Sequence, residues 1–109
     1  MILRLWRGAT LPHLADEYEQ LLRERHFPAI AARDIPGFRE IDFVRRRLGD
    51  RVEVATLMWF DSLENVRAYA GPDVSHAAIA PGAEALLTEP DRFVSHFDVA
   101  LSVKATARP

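Results

Sequence analysis

Histidine is the side chain whose charge change falls nearest to neutral pH, and this chain has four: His13, His26, His76 and His96. It has no cysteine, which removes disulfides, thiolate metal sites and thiol nucleophiles together. His76 lies in an irregular stretch between small residues, after Ser75 and before Ala77 and Ala78. It is a candidate base or ligand, with a surface or capping role as the plain alternative. His96 falls on the face of a strand-like run shared by Val94, Asp98 and Ala100. A base there competes with a structural histidine at a sheet end or subunit interface, since a buried imidazole needs only one partner. His13 and His26 fall near the two ends of a helical pattern, where exposure is the expected state.

Arg4 and Trp6, two residues apart in an alternating run, share a face. A cation and a ring pointing the same way could hold an anionic oxygen and an aromatic body. The alternative is a core Trp6, with Arg4 paired to Glu40 or Asp42. Those two carboxylates also share a strand face, a spacing commoner in ion pairs than in an acid/base couple. Trp59 ends another strand-like run and Tyr69 lies on the helix that follows; each is either the wall of a ligand pocket or packing.

The elements that must position these residues can be read along the chain. "MILRLWR" alternates as a strand that Gly8 ends, Thr10 is placed to cap a helix, and Pro12 falls in its first turn. Leu14, Tyr18, Leu21 and Leu22 then recur at helical spacing, opposite an acidic and basic outer face. Pro28 disfavours helical geometry at Phe27, which predicts a kinked continuation before Pro36-Gly37. Two strand-like runs follow around Gly49-Asp50, a hairpin signal of the II′ type.

Counting outward from that turn pairs Leu48 with Arg51, Arg46 with Glu53, Asp42 with Leu57 and Glu40 with Trp59. Ile41, Phe43, Val52, Val54, Thr56, Met58 and Phe60 then share one face, evidently a core. Glu40, Asp42, Val44, Ala55, Leu57 and Trp59 share the other, which is still apolar at its middle, so both faces call for a cover. A slip of one residue would exchange them and carry Trp59 to the core side.

Asp61 or Ser62 caps the next helix, Leu63, Val66, Tyr69 and Ala70 form its inward stripe, and Gly71-Pro72 ends it. "DVSHAAIAPGAEALLTEP" reads as two short helical turns, "RFVSHFDVALSV" as a last strand, and Lys104 to Pro109 as a tail expected to fray. The order over residues 1–109 is β-α-β-β-α-β in one domain: an α+β, ferredoxin-like split βαβ with an antiparallel four-stranded sheet. Helices cover one sheet face, and in a chain of 109 residues the expected cover for the other is a second copy of the chain.

These residues resemble the dimeric α+β barrel superfamily, in particular the antibiotic biosynthesis monooxygenase-like domains. The resemblance spans nearly the whole chain, from "MILRLWRGAT" through "TLMWFDSLENVRAYAG" and "EALL" to "RFVSHFDV". It implies a homodimer joined through the sheet faces, with a pocket in each subunit between its sheet and its helices. It also implies a cofactor-independent monooxygenase or related enzyme acting on a small aromatic, phenolic or polyketide-type substrate. In that reading His76 or His96 is the base, Arg4 steadies the phenolate or enolate oxygen, Trp6, Trp59 and Tyr69 line the pocket, and neither metal nor other cofactor is needed.

The chain departs from the quinone-forming members in having Ala55 and Thr56 where they carry an asparagine. It departs from the haem-degrading members in having Arg4, Trp6 and Arg7 on the first strand and Tyr69 on the helix, so only His76 carries over to haem. A non-catalytic dimeric domain that binds small molecules, or is associated with stress, is the alternative outside enzymes.

Charge narrows the partners. With 14 basic and 16 acidic residues the net charge is −2, and apart from Arg45, Arg46 and Arg47 the basic residues are scattered, which argues against nucleic acid. The arginine triplet fits a solvated hairpin end. No run approaches the roughly 18 apolar residues of a membrane span, and the N-terminal stretch, interrupted by Arg4 and Arg7, does not read as a signal peptide, so cytoplasm is the expected compartment.

Overall fold

The computed structural model describes residues 1–106; the end of the tail expected to fray lies outside them. Four strands, β1 (Ile2–Thr10), β2 (Phe38–Leu48), β3 (Arg51–Phe60) and β4 (Ser95–Asp98), form one antiparallel sheet in the order β2-β3-β1-β4. Helices α1 (Ala15–Leu21), α2 (Phe27–Ala32) and α3 (Leu63–Ala70) complete the β-α-β-β-α-β order. Among the described residues no helix is long and apolar enough to cross a membrane.

The β2-β3 hairpin has the expected register, with Leu48 opposite Arg51, Asp42 opposite Leu57 and Glu40 opposite Trp59. Gly49 supplies the positive φ of 61° that the first turn position of a II′ hairpin requires. Val52, Val54, Met58 and Phe60 are buried on the helix side, and Trp59 belongs to the opposite face. Near its start β2 carries a bulge at Arg39, so that Phe38 still faces Phe60 and the two rings stand 5.6 Å apart.

β1 is longer than its sequence suggests. It runs through Gly8 to Thr10, paired with Val52 to Val54, because the backbone ladder continues where glycine had signalled an end. Gly8 has a packing role instead: a Cβ there would lie 2.7 Å from the Trp6 ring. Thr10 therefore belongs to the strand, and its hydroxyl donates to the Leu11 carbonyl without capping a helix.

The first helical arm is continuous across Pro28. Between α1 and α2 the residues Leu22–His26 form a π-helical turn, closed by the Phe27 N–H donating to the Leu22 carbonyl five residues back. Pro28 has no N–H for the carbonyl four residues before it and its ring crowds that carbonyl; widening the helix just ahead absorbs both effects without breaking it. α3 is capped by Ser62, whose Oγ accepts from the Asn65 N–H at 3.4 Å, while Asp61 pairs with Arg39. Gly37, at φ 74°, lies so close to Asn65 that a Cβ would meet its Cγ at 2.3 Å.

Helices and sheet enclose two apolar clusters. One joins Trp6, Val52 and Val54 to Ala15, Tyr18 and Leu22; the other joins Met58 and Phe60 to Ile30, Ile35 and Val66. Residues 72–94 differ from expectation. In place of two helical turns they form an irregular cover with one short 3-10 turn at Glu84–Leu86 and an isolated bridge between His76 and Phe93. Pro72, Pro81 and Pro90 cut the segment too often for a helix to propagate. The last strand is correspondingly shorter than the alternation of residues 92–103, since it pairs only where β1 lies beside it, from Ile2 to Leu5.

Candidate functional site

Alternation along β1 sends Ile2, Arg4, Trp6 and Gly8 toward the helices, and pairing places Arg4 between Met58 of β3 and His96 of β4. The Arg4 side chain is 3% exposed, and it pairs with neither Glu40 nor Asp42. Its Nη1 donates to the Val74 carbonyl at 2.6 Å and approaches His96 Nε2 at 3.1 Å, and its Nη2 donates to the His76 carbonyl at 3.0 Å. The guanidinium also stands 5.4 Å from the centre of the Tyr69 ring. Among the described residues no carboxylate neutralises it. A buried cation served only by dipoles is costly unless something negative joins it, and burial accordingly pulls the Arg4 pKa down.

Arginine only donates, so His96 Nε2 is the acceptor in this pair and the ring proton resides on Nδ1. Burial first, and the Arg4 charge second, lower the His96 pKa from its ordinary value. The imidazole is therefore neutral at pH 7, with its basic nitrogen beside the cation.

Arg4 lines a cavity between sheet and helices, and His96, bonded to Arg4, is not itself part of that lining. Trp6, Ile41, Thr56, Met58 and Val94 supply the sheet wall; Tyr18, Leu22 and His26 come from the helical arm; Tyr69 comes from α3; Ala78, Ile79 and Ala80 form the cover. Trp6 is held by its indole N–H, which donates to the Asp91 carbonyl at 2.9 Å. Burial pushes the Tyr18 hydroxyl up to about 12, and it raises the Tyr69 hydroxyl against the opposing pull of Arg4 and Arg33. Both phenols stay protonated and can donate. The cavity holds about 40 Å³, well below the roughly 300–1,000 Å³ of sites for drug-sized ligands. Next to it an open groove of about 540 Å³ runs between the helical arm and β2, and Leu22 and Ile41 line both spaces.

The structure thus brings Arg4, Trp6, Tyr69 and His96 together and separates two other candidates from them. The His76 side chain is exposed outside the cavity, where its Nε2 meets Asp73 at 2.8 Å and its ring stands 5.0 Å from that of Phe93. Only its backbone carbonyl reaches the site. Trp59 lies on the far sheet face and donates from Nε1 to Asp42 at 3.0 Å, so it is not a wall of this cavity; the unslipped hairpin register is the reason.

His26, expected at the surface, is half-buried in the cavity lining, and burial lowers its pKa. The signal was present: Tyr18, Leu22 and His26 are four residues apart in succession, a single helical stripe. Its place near a helix end concealed it, because the helical arm continues past Pro28.

The far face of the sheet is apolar and uncovered. Leu3, Leu5, Leu57 and Trp59 are half-buried, while Val44 and Phe97 are 50% and 51% exposed.

No protein-family model matches the sequence, and no curated protein sequence matches it. Solved structures do match in shape. The haem degrader MhuD from Mycobacterium tuberculosis, crystallised with two haems in its active site, aligns with TM-score 0.61 and 23% identity over 95% of this chain and 100% of its own. The monooxygenase ActVA-Orf6 of Streptomyces coelicolor, in complex with nanaomycin D, aligns with TM-score 0.61 and 15% identity over 96% and 92%. A Bacillus cereus protein proposed to be an antibiotic biosynthesis monooxygenase aligns with TM-score 0.65 and 10% identity over 98% of both chains. At such identities the likeness speaks for the fold alone: this chain has the α+β, ferredoxin-like fold of those structures.

Proposed function

We propose that this chain is a cofactor-independent monooxygenase, or a closely related enzyme, acting on a small aromatic, phenolic or polyketide-type substrate. The observation that carries this reading is the buried Arg4 guanidinium, without a carboxylate partner and bonded to a neutral histidine, in the lining of a cavity walled largely by apolar and aromatic side chains. Such a pair suits a phenol or enol. For its O–H to meet His96 Nε2 it must take the place of the Arg4 N–H that this nitrogen accepts at 3.1 Å; the proton then passes to Nε2, and the oxyanion that forms is held by the freed Arg4 N–H. Dioxygen reacts directly with the resulting electron-rich ring. One oxygen atom enters the ring and the other leaves as water, so that a phenol and dioxygen give a quinone and water with no external reductant. Trp6 and Tyr69 supply the aromatic walls.

The cavity volume sets a condition on this reading. A substrate larger than a few atoms is admitted only if the cover at Ala78 to Ala80 moves, or if Leu22 and Ile41 turn and join the cavity to the neighbouring groove. The uncovered sheet face supports a homodimer in solution, with Leu3, Leu5, Leu57, Trp59 and Phe97 at the contact. The haem-degrading reading has less support, because the one candidate ligand, His76, is turned away from the cavity and bonded to Asp73.

Oxygen uptake with a panel of quinols, anthrones and flavonoids tests the proposal. Turnover by the unaltered protein, lost in His96→Gln and Arg4→Met and kept in His76→Ala, is the expected pattern. Binding without turnover across the panel would instead identify a non-catalytic small-molecule-binding domain.

A further inference from the structure

We propose that His26 is a specificity-determining residue, which hydrogen-bonds a second polar atom of the ligand in the cavity where Arg4 holds the first. The inference rests on the proposed function for the nature of the ligand and names a residue to which that reading gives no part. His26 lies in the Tyr18, Leu22, His26 stripe and lines the same cavity as Arg4. It ends the π-helical turn, a feature that recurs at functional sites because it re-aims one side chain without breaking the helix. Phe27, the next residue, lines the adjoining groove, and Leu22, one turn earlier, lines both spaces. His26 therefore occupies the side of the cavity from which a ligand body would extend.

Its bonding state is the second observation. Among the described residues the His26 ring makes no hydrogen bond, and neither of its nitrogens is a sealed, unsatisfied atom. Two other polar groups of the site are already bonded within the chain, Arg4 to two carbonyls and His96 and Trp6 to the Asp91 carbonyl; the Tyr18 and Tyr69 hydroxyls can donate but, being phenols, lack the basic nitrogen that His26 offers. Burial keeps the His26 imidazole neutral at pH 7, so one nitrogen can donate and the other accept. A hydroxyl or a carbonyl on the ligand is thus recognised equally well. The ligand class that follows is a flat aromatic with two oxygen functions, one delivered to Arg4 and the other to His26.

The test compares 1-naphthol with 1,4-dihydroxynaphthalene, titrated without oxygen and followed by tryptophan fluorescence. The unaltered protein is expected to bind the dihydroxy compound about tenfold more tightly, the worth of one hydrogen bond to a buried partner. His26→Leu should remove that preference and leave 1-naphthol affinity unchanged, and His26→Gln, which can still donate and accept, should restore part of it. A preference that survives in His26→Leu, or that is absent from the unaltered protein, overturns the role of His26. The functional reading has a separate signature: Arg4→Met should weaken both ligands together, and affinities independent of Arg4 would overturn that reading.

Discussion

The two faces of one sheet are built from the same alternating strands and have opposite fates. On the helix side Val54, Phe60 and Val66 are fully buried, and the only charge from β1 that enters, Arg4, is wrapped by two carbonyls, an imidazole and a tyrosine ring. On the far side Leu3, Leu5, Leu57 and Trp59 stand half-buried beside a Phe97 that is half exposed, and the carboxylates Glu40 and Asp42 share the surface. There Asp42 raises the Glu40 pKa by accepting its hydrogen bond and by its own charge. The first face is complete within the chain except for the anion that Arg4 lacks. The second is incomplete without another layer. A buried unpaired cation calls for a small negative ligand, whereas a broad apolar surface calls for a protein partner.

The difference can be broken at several points. Largest should be the loss on the helix face: Phe60→Ala empties a fully buried site and is expected to lower unfolding free energy by about 3–5 kcal/mol in chemical denaturation. On the far face Leu57→Glu should leave monomer stability nearly intact and act on association, raising a dimer dissociation constant by at least about a hundredfold in sedimentation, since a charge would be buried between the sheets. A chain that is already monomeric at micromolar concentration would contradict the proposed cover.

The pH dependence is a finer test. His26 and His96 have folded pKa values below their ordinary 6.5, so the unfolded chain binds more protons near that pH. Their contribution to stability is present above pH 6.5 and is lost as pH falls through their folded values. Melting temperature should therefore drop as pH falls below about 6.5, and the drop should shrink in a His26→Leu, His96→Gln double variant. Smallest should be the effect of Arg46→Ala, which removes an exposed pair with Glu53 at 2.6 Å and should change stability by less than about 1 kcal/mol.

How much of this was legible in the sequence depended on the element. The hairpin register is readable from Leu48 back to Glu40, because Gly49-Asp50 fixes the turn and a period of two then assigns each side chain to a face, Trp59 among them; the bulge at Arg39, which returns Phe38 to the Phe60 side, carries no such signal. The π-helical turn is not readable either, since periodicity alone cannot show how a helix passes a proline, and a position near the helix end predicts exposure for His26. Arg4 and Trp6 were placed on one face by alternation. That Arg4 would bond to the Val74 and His76 carbonyls depends on an irregular cover with no repeating pattern to read. His76 is a candidate by its side chain and enters the site only as a backbone oxygen. Local pattern thus told which face a residue occupies, and only the long-range fold told which residues meet there.

The central claim is that Arg4 awaits an oxyanion. It is tested most directly by the absorbance titration of 4-nitrophenol bound in the cavity. The pKa of the bound phenol is expected to fall by about one unit or more relative to free phenol, equivalent to about 1.4 kcal/mol of preference for the anion, and this fall should vanish in Arg4→Met. A bound phenol whose pKa is unchanged or raised, or whose lowered pKa persists in Arg4→Met, would contradict the account.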